Sequence, residues 1–295
     1  MSKLQPVAIE INIRNWVLMA PKGASRRQRQ AIDIALNTIA TCQNIANKCS
    51  LKGGILMGLL YGSPRLTGDI DLSLAEMPTP DTPEEFCAAL DAYFEYVAFE
   101  LGHPNILMRV HSVKRLPKRK FDEATFPGLQ LKMTFVDKNN APQLASFYEG
   151  RPIEIIDMDI SFNEPAEDLT VLKLSNEREI MAYGLAELIA EKYRALHQQI
   201  LRKRNRRQDA YDIWYLFGNN EISDDLATHI LERLREKSES RGIIIGPETI
   251  AHPDIKNRAK ADWNTQKVEI GEELPDFELC WKSVLELYNL LPWDS

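Results

Sequence analysis

The segment Leu51–Ala75, LKGGILMGLLYGSPRLTGDIDLSLA, carries a glycine pair and, about fifteen residues later, two aspartates in an alternating run. The alternation predicts a β-strand over Asp69–Leu74. Side chains two residues apart on a strand point to the same face, so Asp69 and Asp71 present their carboxylates side by side. Carboxylate oxygens suit Mg²⁺. The segment therefore predicts a divalent-cation site at a sheet.

The glycine pair of this segment adds a second chemical feature. Gly53 and Gly54 have no Cβ, so the backbone beside them can approach phosphate groups and donate N–H hydrogen bonds. An apolar stretch over Ile55–Tyr61 follows and is predicted to be helical, and Arg65 comes before the aspartates. Together these parts suit a metal-dependent enzyme that acts on a nucleoside triphosphate.

Composition limits the class of protein. The chain has 295 residues, 44% hydrophobic content and a mean hydropathy of -0.32, as expected of a globular protein with one large or two ordinary domains. It has no apolar run of the roughly 20 residues needed to cross a membrane, and its first residues are too polar for a secretory signal. The four cysteines lack metal-ligand spacing. We expect a reduced, cytoplasmic protein.

Charge is unevenly distributed along the chain. The formal net charge is -7, which argues against nucleic-acid binding by the whole surface. Two local basic runs, one over 114–120 and one over Arg202–Arg207, have the residues to hold phosphates. The alternative for each run is a solvated loop or helix end.

Hydrophobic periodicity predicts an α+β fold, with an α+β core over residues 1–165 and a helical domain over 166–295. The strand-like and helical segments that support this division are listed here in chain order. They are a helix over Ser25–Cys49, the Asp69 strand, a helix over Pro83–Leu101, strands over Ile106–Val113, Leu129–Val136 and Ile153–Phe162, a loop over Asn139–Arg151, an edge strand over Thr170–Leu174, and helices over Arg178–Leu201, Gln208–Phe217, Ser223–Ser238 and Phe277–Leu291.

A third carboxylate is available on a later strand. Asp157 and Asp159 lie two apart in EIIDMDISF, and Asp159 with Ser161 gives the cleaner alternation against Ile160. If this strand lies beside the Asp69 strand, three or four carboxylates converge, and cations must neutralise them. The alternative is the polar face of an edge strand.

Two further candidates lie in the helical half. Lys192 falls inside the apolar stripe of the Arg178–Leu201 helix, where an ammonium group needs a partner or a cleft. It could bind triphosphate oxygens, or simply form a salt bridge with Glu191 or Asp212. Asp209 lies three residues before Asp212, on the same side of a helix, and a capping role is the alternative for it.

Three motifs resemble one family. KGGILMGLLYGSPRLTGDIDLS, IEIIDMDIS and AEKYRALHQQILRKRNRRQDAYDIWYLF are similar to segments of the AbiEii/AbiGii-type nucleotidyltransferases, the toxins of bacterial abortive-infection and toxin–antitoxin systems, within the DNA polymerase β-like nucleotidyltransferase superfamily. The resemblance implies a mixed five-stranded sheet with a helical C-terminal part. It implies that Gly53, Asp69 and Asp71 belong to the site and that the helical half supplies Lys192 and Asp209. Where the family usually has arginine, this chain has Gln208.

The expected function is transfer of NMP from an NTP to an acceptor hydroxyl, with an RNA end such as that of tRNA as the expected acceptor and an antitoxin as a possible partner. Asp69, Asp71 and Asp159 are the expected Mg²⁺ ligands, with Asp159 alternatively a general base. Gly53, Gly54, Arg65 and Lys192 are expected at the phosphates, and Asp209 beside Lys192 or the nucleotide. Two alternatives stay open: nucleotidylation of a protein or small molecule, and a non-catalytic nucleotide-binding module.

Overall fold

The computed structural model describes residues 7–294, and the chain forms two compact units. Of the described residues, 7–62 and Thr67–Ala182 form the strand-bearing unit, and Ser63–Leu66 with 183–294 form the helical unit. The chain therefore leaves the strand-bearing unit for four residues between the glycine pair and the aspartates. The division at Ala182 falls later than the expected one at residue 165, because two additional strands join the sheet after that point.

The strand-bearing unit is built on a mixed sheet. Its strands are β1 (Ala8–Glu10), β2 (Cys49–Lys52), β3 (Ile70–Leu74), β4 (Ile106–Leu116), β5 (Gly128–Asp137), β6 (Glu154–Ser161), β7 (Leu169–Lys173) and β8 (Glu179–Tyr183), and its helices are α1 (Ile13–Met19), α2 (Ala24–Thr41), α3 (Gln43–Ala46), α4 (Gly53–Leu60), α5 (Thr82–Glu100) and α6 (Ala141–Tyr148). The strand order is β1-β7-β8-β2-β3-β6-β5-β4. β3 runs parallel to β6 and antiparallel to β2, and β5 is antiparallel to both β4 and β6.

The period-2 alternation of the central strands separates an apolar face from a polar face. Leu51, Leu72, Ile160 and Leu129 pair in register across β2, β3, β6 and β5, and each is at most 1% exposed. Helix α2 contacts β6 and α5, and α5 contacts β4, so these two helices belong to the core that the apolar side chains form. The residues that alternate with these four along the strands point to the opposite face of the sheet, which is polar.

Several expectations about elements were wrong. The sheet has eight strands within residues 7–294 rather than five. The expected helix over Ser25–Cys49 ends at Thr41 and is followed by α3 and the start of β2, whose four residues are all buried and show no alternation. The expected loop over Asn139–Arg151 contains α6, whose first turn is capped by the Asn140 side chain. The helix expected from Arg178 is preceded by β8, and β7 lies inside the sheet rather than at its edge.

The helical unit consists of α7 (Leu185–Arg202), α8 (Arg207–Asn219), α9 (Asp224–Glu239), α10 (Pro253–Lys260), α11 (Lys267–Ile270) and α12 (Phe277–Asn289), with 3₁₀ turns over Thr249–Ala251 and Trp263–Gln266. Helix α7 contacts α8, α9 and α10. Its buried residues include Leu188, Ile189 and Leu196, which form the apolar stripe that its sequence predicts. Within the described residues, no helix has the length and apolarity needed to cross a membrane.

Candidate active site

A row of polar side chains crosses the centre of the sheet. Lys52 of β2 pairs with Asp71 of β3, Asp71 pairs with Asp159 of β6, and Asp159 pairs with Gln130 of β5. Residues paired in this way point to the same face, so the Asp71 and Asp159 carboxylates are neighbours on adjacent strands. Asp69 lies just before β3 begins at Ile70. The parallel pairing of β3 with β6 thus brings together two of the carboxylates that the sequence singled out.

Gly53 is in direct contact with the Asp71 carboxyl group. An ideal Cβ at Gly53 would lie 2.0 Å from Asp71 Oδ2 and 2.7 Å from its Cγ, and the Gly53 φ angle is +71°. Any other residue here would have to displace the aspartate and would also be strained by the positive φ angle. Gly53 also begins α4, whose preceding residue Lys52 provides no side-chain cap. A carboxylate at the amino end of a helix is favoured by the helix dipole.

A second row runs beside the first. Asp157 of β6 pairs with Lys132 of β5, and Lys132 Nζ lies 2.6 Å from Asp157 Oδ1. The hydrogen bond to Asp157 raises the pKa of Lys132, and the charges of Asp69 and Asp159 add to this effect. Two carboxylates of β6 and one from just before β3 therefore act on one lysine.

The electrostatics of Asp159 follow from this crowding. Burial raises its pKa, and the charge of Asp157 acts in the same direction. A hydrogen bond from Gln130 and the charges of Lys132 and Lys52 oppose that rise. Burial and the neighbouring negative charge both disfavour the ionised form of Asp159. A bound cation would stabilise that ionised form, as expected at a metal site.

Sequence reasoning missed Lys52 and its partners. Lys52 is 8% exposed, and its Nζ lies 2.6 Å from Glu164 Oε2 and 3.5 Å from Ser161 Oγ. It thus places a buried positive charge in the same row as Asp71 and Asp159. One signal was present in the sequence, since a lysine directly precedes the glycine pair, but the uniformly buried β2 gave no alternation from which to assign its face.

The donor chemistry of the sheet face fits Mg²⁺. Among residues 7–294, no three histidine, cysteine or acidic side chains form a complete metal-binding group. Mg²⁺ is commonly held by one or two carboxylates, with its other positions filled by substrate phosphates and water. Asp71, which lies against Gly53, and Asp159, its in-register neighbour on β6, would supply one or two carboxylates of this kind. The residues present therefore fit a metal that binds together with a triphosphate.

The helical unit contains a separate charged cluster, centred on Asp212. Arg65 Nε and Nη2 each lie 3.2 Å from a different carboxylate oxygen of Asp212, and Arg65 Nη1 lies 3.1 Å from Glu269 Oε2. The Leu66 N–H donates to the Glu269 carbonyl over 2.7 Å. These bonds hold the Ser63–Leu66 segment in the helical unit. The Arg65 guanidinium thus has carboxylate partners in this structure, and its contact with phosphate stays a prediction.

Lys192 belongs to the same cluster. Its Nζ lies 2.5 Å from Asp212 Oδ2 and 3.7 Å from Asp209 Oδ1, and the residue is 5% exposed. Burial tends to raise the pKa of Asp212, but the charges of Arg65 and Lys192 outweigh it and lower that pKa. Burial raises the pKa of Asp209, since its cations lie farther away. The salt bridge with Asp212, one alternative that the sequence allowed for Lys192, is present.

The sequence as a whole matches the family model described as "Nucleotidyl transferase AbiEii toxin, Type IV TA system" over residues 34–287. The chain belongs to the AbiEii family. Its fold is similar to that of MenT4, a nucleotidyltransferase toxin from Mycobacterium tuberculosis, with a TM-score of 0.53, 15% identity and coverage of 95% of this chain and 88% of that one. It is also similar to JHP933 from Helicobacter pylori, with a TM-score of 0.50, 14% identity and coverage of 92% and 93%. No curated protein sequence matches this chain significantly.

Membership in the AbiEii family makes this chain a nucleotidyltransferase toxin with a nucleoside triphosphate as its substrate class. The likeness to the two solved structures confirms the α+β nucleotidyltransferase fold that the motifs implied. The family places the protein in a toxin–antitoxin system. It leaves the roles of the individual side chains to be argued from their geometry.

Proposed function

We propose that this AbiEii protein transfers NMP from an NTP to an acceptor hydroxyl at the polar face of the sheet, with Mg²⁺ as its metal. The observation that carries this proposal is the in-register pairing of Asp71 with Asp159, with Gly53 packed against the Asp71 carboxylate. Such pairing concentrates negative charge on a rigid surface. Rigid support of the reacting groups is what transfer of a phosphoryl group requires, because the protein contributes mainly positioning and electrostatics.

In the proposed reaction the acceptor oxygen forms a bond to the α-phosphorus of the NTP. At the same time, the bond between the α-phosphorus and the oxygen that bridges it to the β-phosphorus breaks. Pyrophosphate leaves with the bonding electron pair, and the hydroxyl proton passes to a base. Asp69 and Asp71 would hold Mg²⁺, which when bound offsets negative charge on the triphosphate. Asp159 is placed beside Asp71 and either accepts the hydroxyl proton or completes a second metal position.

The peptide at Gly53 and Gly54 is proposed to lie against the phosphates. Gly53 opens α4, so the first N–H groups of that helix point toward its amino end, where anions are favoured. Neither glycine carries a Cβ, Gly54 is buried, and the Asp71 carboxylate occupies the place where a Gly53 Cβ would lie.

The family resemblance implies that Lys192 and Asp209 take part in the same reaction, and we propose this role for them and for Arg65. Lys192 would neutralise charge on the phosphates, and Asp209 would orient it. The 2.5 Å contact with Asp212 fixes the lysine ammonium in one position, which suits a residue that must meet a phosphate at a defined point. Arg65 supports the same carboxylate from its other side.

An RNA end is the proposed acceptor, and a cognate antitoxin the proposed regulatory partner. The experiment that tests the function incubates purified protein with each of the four α-³²P-labelled NTPs, Mg²⁺ and total cell RNA or protein. We expect one labelled NTP to become covalently attached to RNA and the label to be absent when EDTA is present. Label on protein alone would favour the alternative acceptor, and no label on any acceptor would contradict the proposal.

A further inference from the structure

We propose that the acceptor is a single-stranded RNA whose backbone lies across β5 and β4 and continues toward the basic turn after β4, rather than on the Arg202–Arg207 run. This inference rests on the proposed function, since it names the route by which the acceptor reaches Asp159. The turn in question covers residues 117–127, between the end of β4 and the start of β5.

The pairing register of the strands extends the carboxylate row toward the sheet edge. Asp159 pairs with Gln130, and Gln130 pairs with Lys114 on β4, the last strand of the sheet. The adjacent row runs from Asp157 through Lys132 to Ser112. The polar face thus changes from acidic at β3 and β6 to basic at β5 and β4.

The dimensions of this face suit a short stretch of polynucleotide. Adjacent strands lie about 4.8 Å apart, so Lys114 is two strands, or about 10 Å, from Asp159. One strand of a nucleic acid advances about 3.4 Å per stacked nucleotide. Two or three nucleotides would therefore span the distance from the reacting hydroxyl to Lys114. The nucleotides that precede these in the RNA would contact the turn over residues 117–127.

Charge along this route is opposite to that of the protein as a whole. Residues 114–123 contain five cations and two acids, whereas the chain carries a formal charge of -7. Arg115 is paired with Glu84, and Lys120 with Glu123. No ion pair within residues 7–294 involves the three other cations, which are exposed; these are Lys114, Lys118 and Arg119. Lys114 continues the row of Asp159 and Gln130, and Lys118 and Arg119 lie in the turn that follows β4. Exposed cations outside ion pairs are suited to a phosphate backbone.

The opposite end of the same face is closed. Helix α6 packs on β5, and Arg109 of β4 donates to the Phe147 carbonyl at 2.6 Å while its guanidinium covers the Phe147 ring. An acceptor entering along β4 therefore has open surface in the direction of Lys114 and the turn. The proposed RNA would therefore run from Asp159 toward Lys114 and the turn, and not toward Arg109.

The test compares two triple variants with equal loss of charge. One carries Lys114→Gln, Lys118→Gln and Arg119→Gln, and the matched control carries Arg202→Gln, Lys203→Gln and Arg204→Gln, all three of which are exposed. Binding to a fluorescent single-stranded RNA oligonucleotide with a free 3′ hydroxyl is measured by anisotropy over a range of salt concentrations. We expect the first variant to reduce the slope of log K against log salt by about 2, at roughly 0.7 for each lost phosphate contact, and the control to keep it.

A second readout separates this inference from the proposed function. In labelled-NMP transfer to the same oligonucleotide, the β4-turn variant should show a raised KM for RNA with kcat retained at saturating RNA. Equal effects in both variants, or an effect in the control alone, would overturn the route proposed here while leaving the transfer reaction intact. Wild-type protein that labels a protein acceptor and does not bind the RNA would also overturn it. A slope that falls by about 2 in the first variant and is kept in the control, in a protein that transfers no nucleotide, would support the surface and contradict the function.

Discussion

The two units of this molecule contain similar charged residues in opposite arrangements. On the sheet, four aspartates lie at or beside the polar face, and Lys132, the lysine on which three of them act, has a side chain 42% exposed. In the helical unit, Arg65 and Lys192 form ion pairs with the fully buried Asp212, and Glu269 and Asp209 complete the cluster. On the sheet, the excess of like charge lies beside a half-exposed lysine, whereas in the helical unit two cations share one carboxylate that is excluded from water.

This difference separates carboxylates that need an added cation from a carboxylate that the protein itself already pairs. Neighbouring carboxylates repel each other, so a face that holds several of them gains free energy when a divalent cation and its triphosphate bind. A buried, bidentate pair such as Arg65 with Asp212 is already satisfied by the protein, and breaking it leaves an uncompensated buried charge. We therefore expect substitutions of Asp69 and Asp71 to remove activity and substitutions of Asp212 to remove stability.

The largest expected effect is on activity at the sheet face. Asp69→Asn and Asp71→Asn should each lower the rate of NMP transfer by about a hundredfold or more, since each removes charge stabilisation at the reacting phosphate. The melting temperature should stay within a few degrees of wild type because the mutual repulsion of the carboxylates falls. Label transfer and thermal unfolding of the same samples check both statements. Retained activity in both variants would exclude the proposed metal role.

The second effect concerns the stability of the cluster around Asp212. Asp212→Asn should lower the free energy of unfolding by about 3–5 kcal/mol, because it leaves Arg65 and Lys192 buried without their shared carboxylate. Urea denaturation monitored by circular dichroism measures the change. Lys132→Gln, on the half-exposed ion pair with Asp157, serves as the control and should change stability by less than about 1 kcal/mol. Equal losses in the two variants would remove the distinction between the units.

The third effect is a pH dependence of stability that arises from a buried histidine of the helical unit. Burial lowers the pKa of His197 in α7 to about 4, and its Nε2 has no hydrogen-bond partner within the described chain. The unfolded chain binds a proton near pH 6.5 and the folded protein does not, so stability falls as pH decreases from about 6.5 toward 4. Compared with His197→Phe, wild type should lose about 2–3 kcal/mol more between about pH 7 and pH 4.5. Parallel stability curves from urea denaturation would contradict this.

The fourth effect concerns the glycine beside Asp71. Gly53→Ala should cost about 1–3 kcal/mol through its positive φ angle and also abolish transfer, because the new Cβ displaces the Asp71 carboxylate. Gly102→Ala is the matched control. Its φ angle is +77°, but a Cβ there would have open space. The control should lose similar stability and keep its transfer activity, and an inactive Gly102→Ala would show that strain alone explains the loss.

The sequence predicts the face of each site aspartate because strand alternation has a strict period of two. Buried Met158 and Ile160 alternate with Asp157, Asp159 and Ser161 in β6, and this pattern is readable in the chain itself. The motifs also carry enough of the family pattern to imply the fold. The helix boundaries of α5 and α12 follow from apolar spacing with small errors at their ends.

Long-range pairings could not be predicted in the same way. Arg65 and Asp212 are separated by 147 residues, and no local pattern shows that Ser63–Leu66 leaves the strand-bearing unit. Lys52 lies on a strand too short and too buried to show alternation. Helix α6 was missed although Asn140 and Pro142 are typical of a helix start, because its polar flanks suggested a loop.

Asp71, on the sheet face, is proposed to hold the Mg²⁺ that binds together with the nucleotide. Calorimetric titration of a non-hydrolysable NTP analogue, with and without Mg²⁺, into wild type, Asp71→Asn and the Lys132→Gln control tests it most directly. We predict Mg²⁺-dependent binding in wild type and in the control, and loss of the Mg²⁺ dependence in Asp71→Asn. Binding of equal affinity with and without Mg²⁺ in wild type, or unchanged Mg²⁺ dependence in Asp71→Asn, would contradict the account.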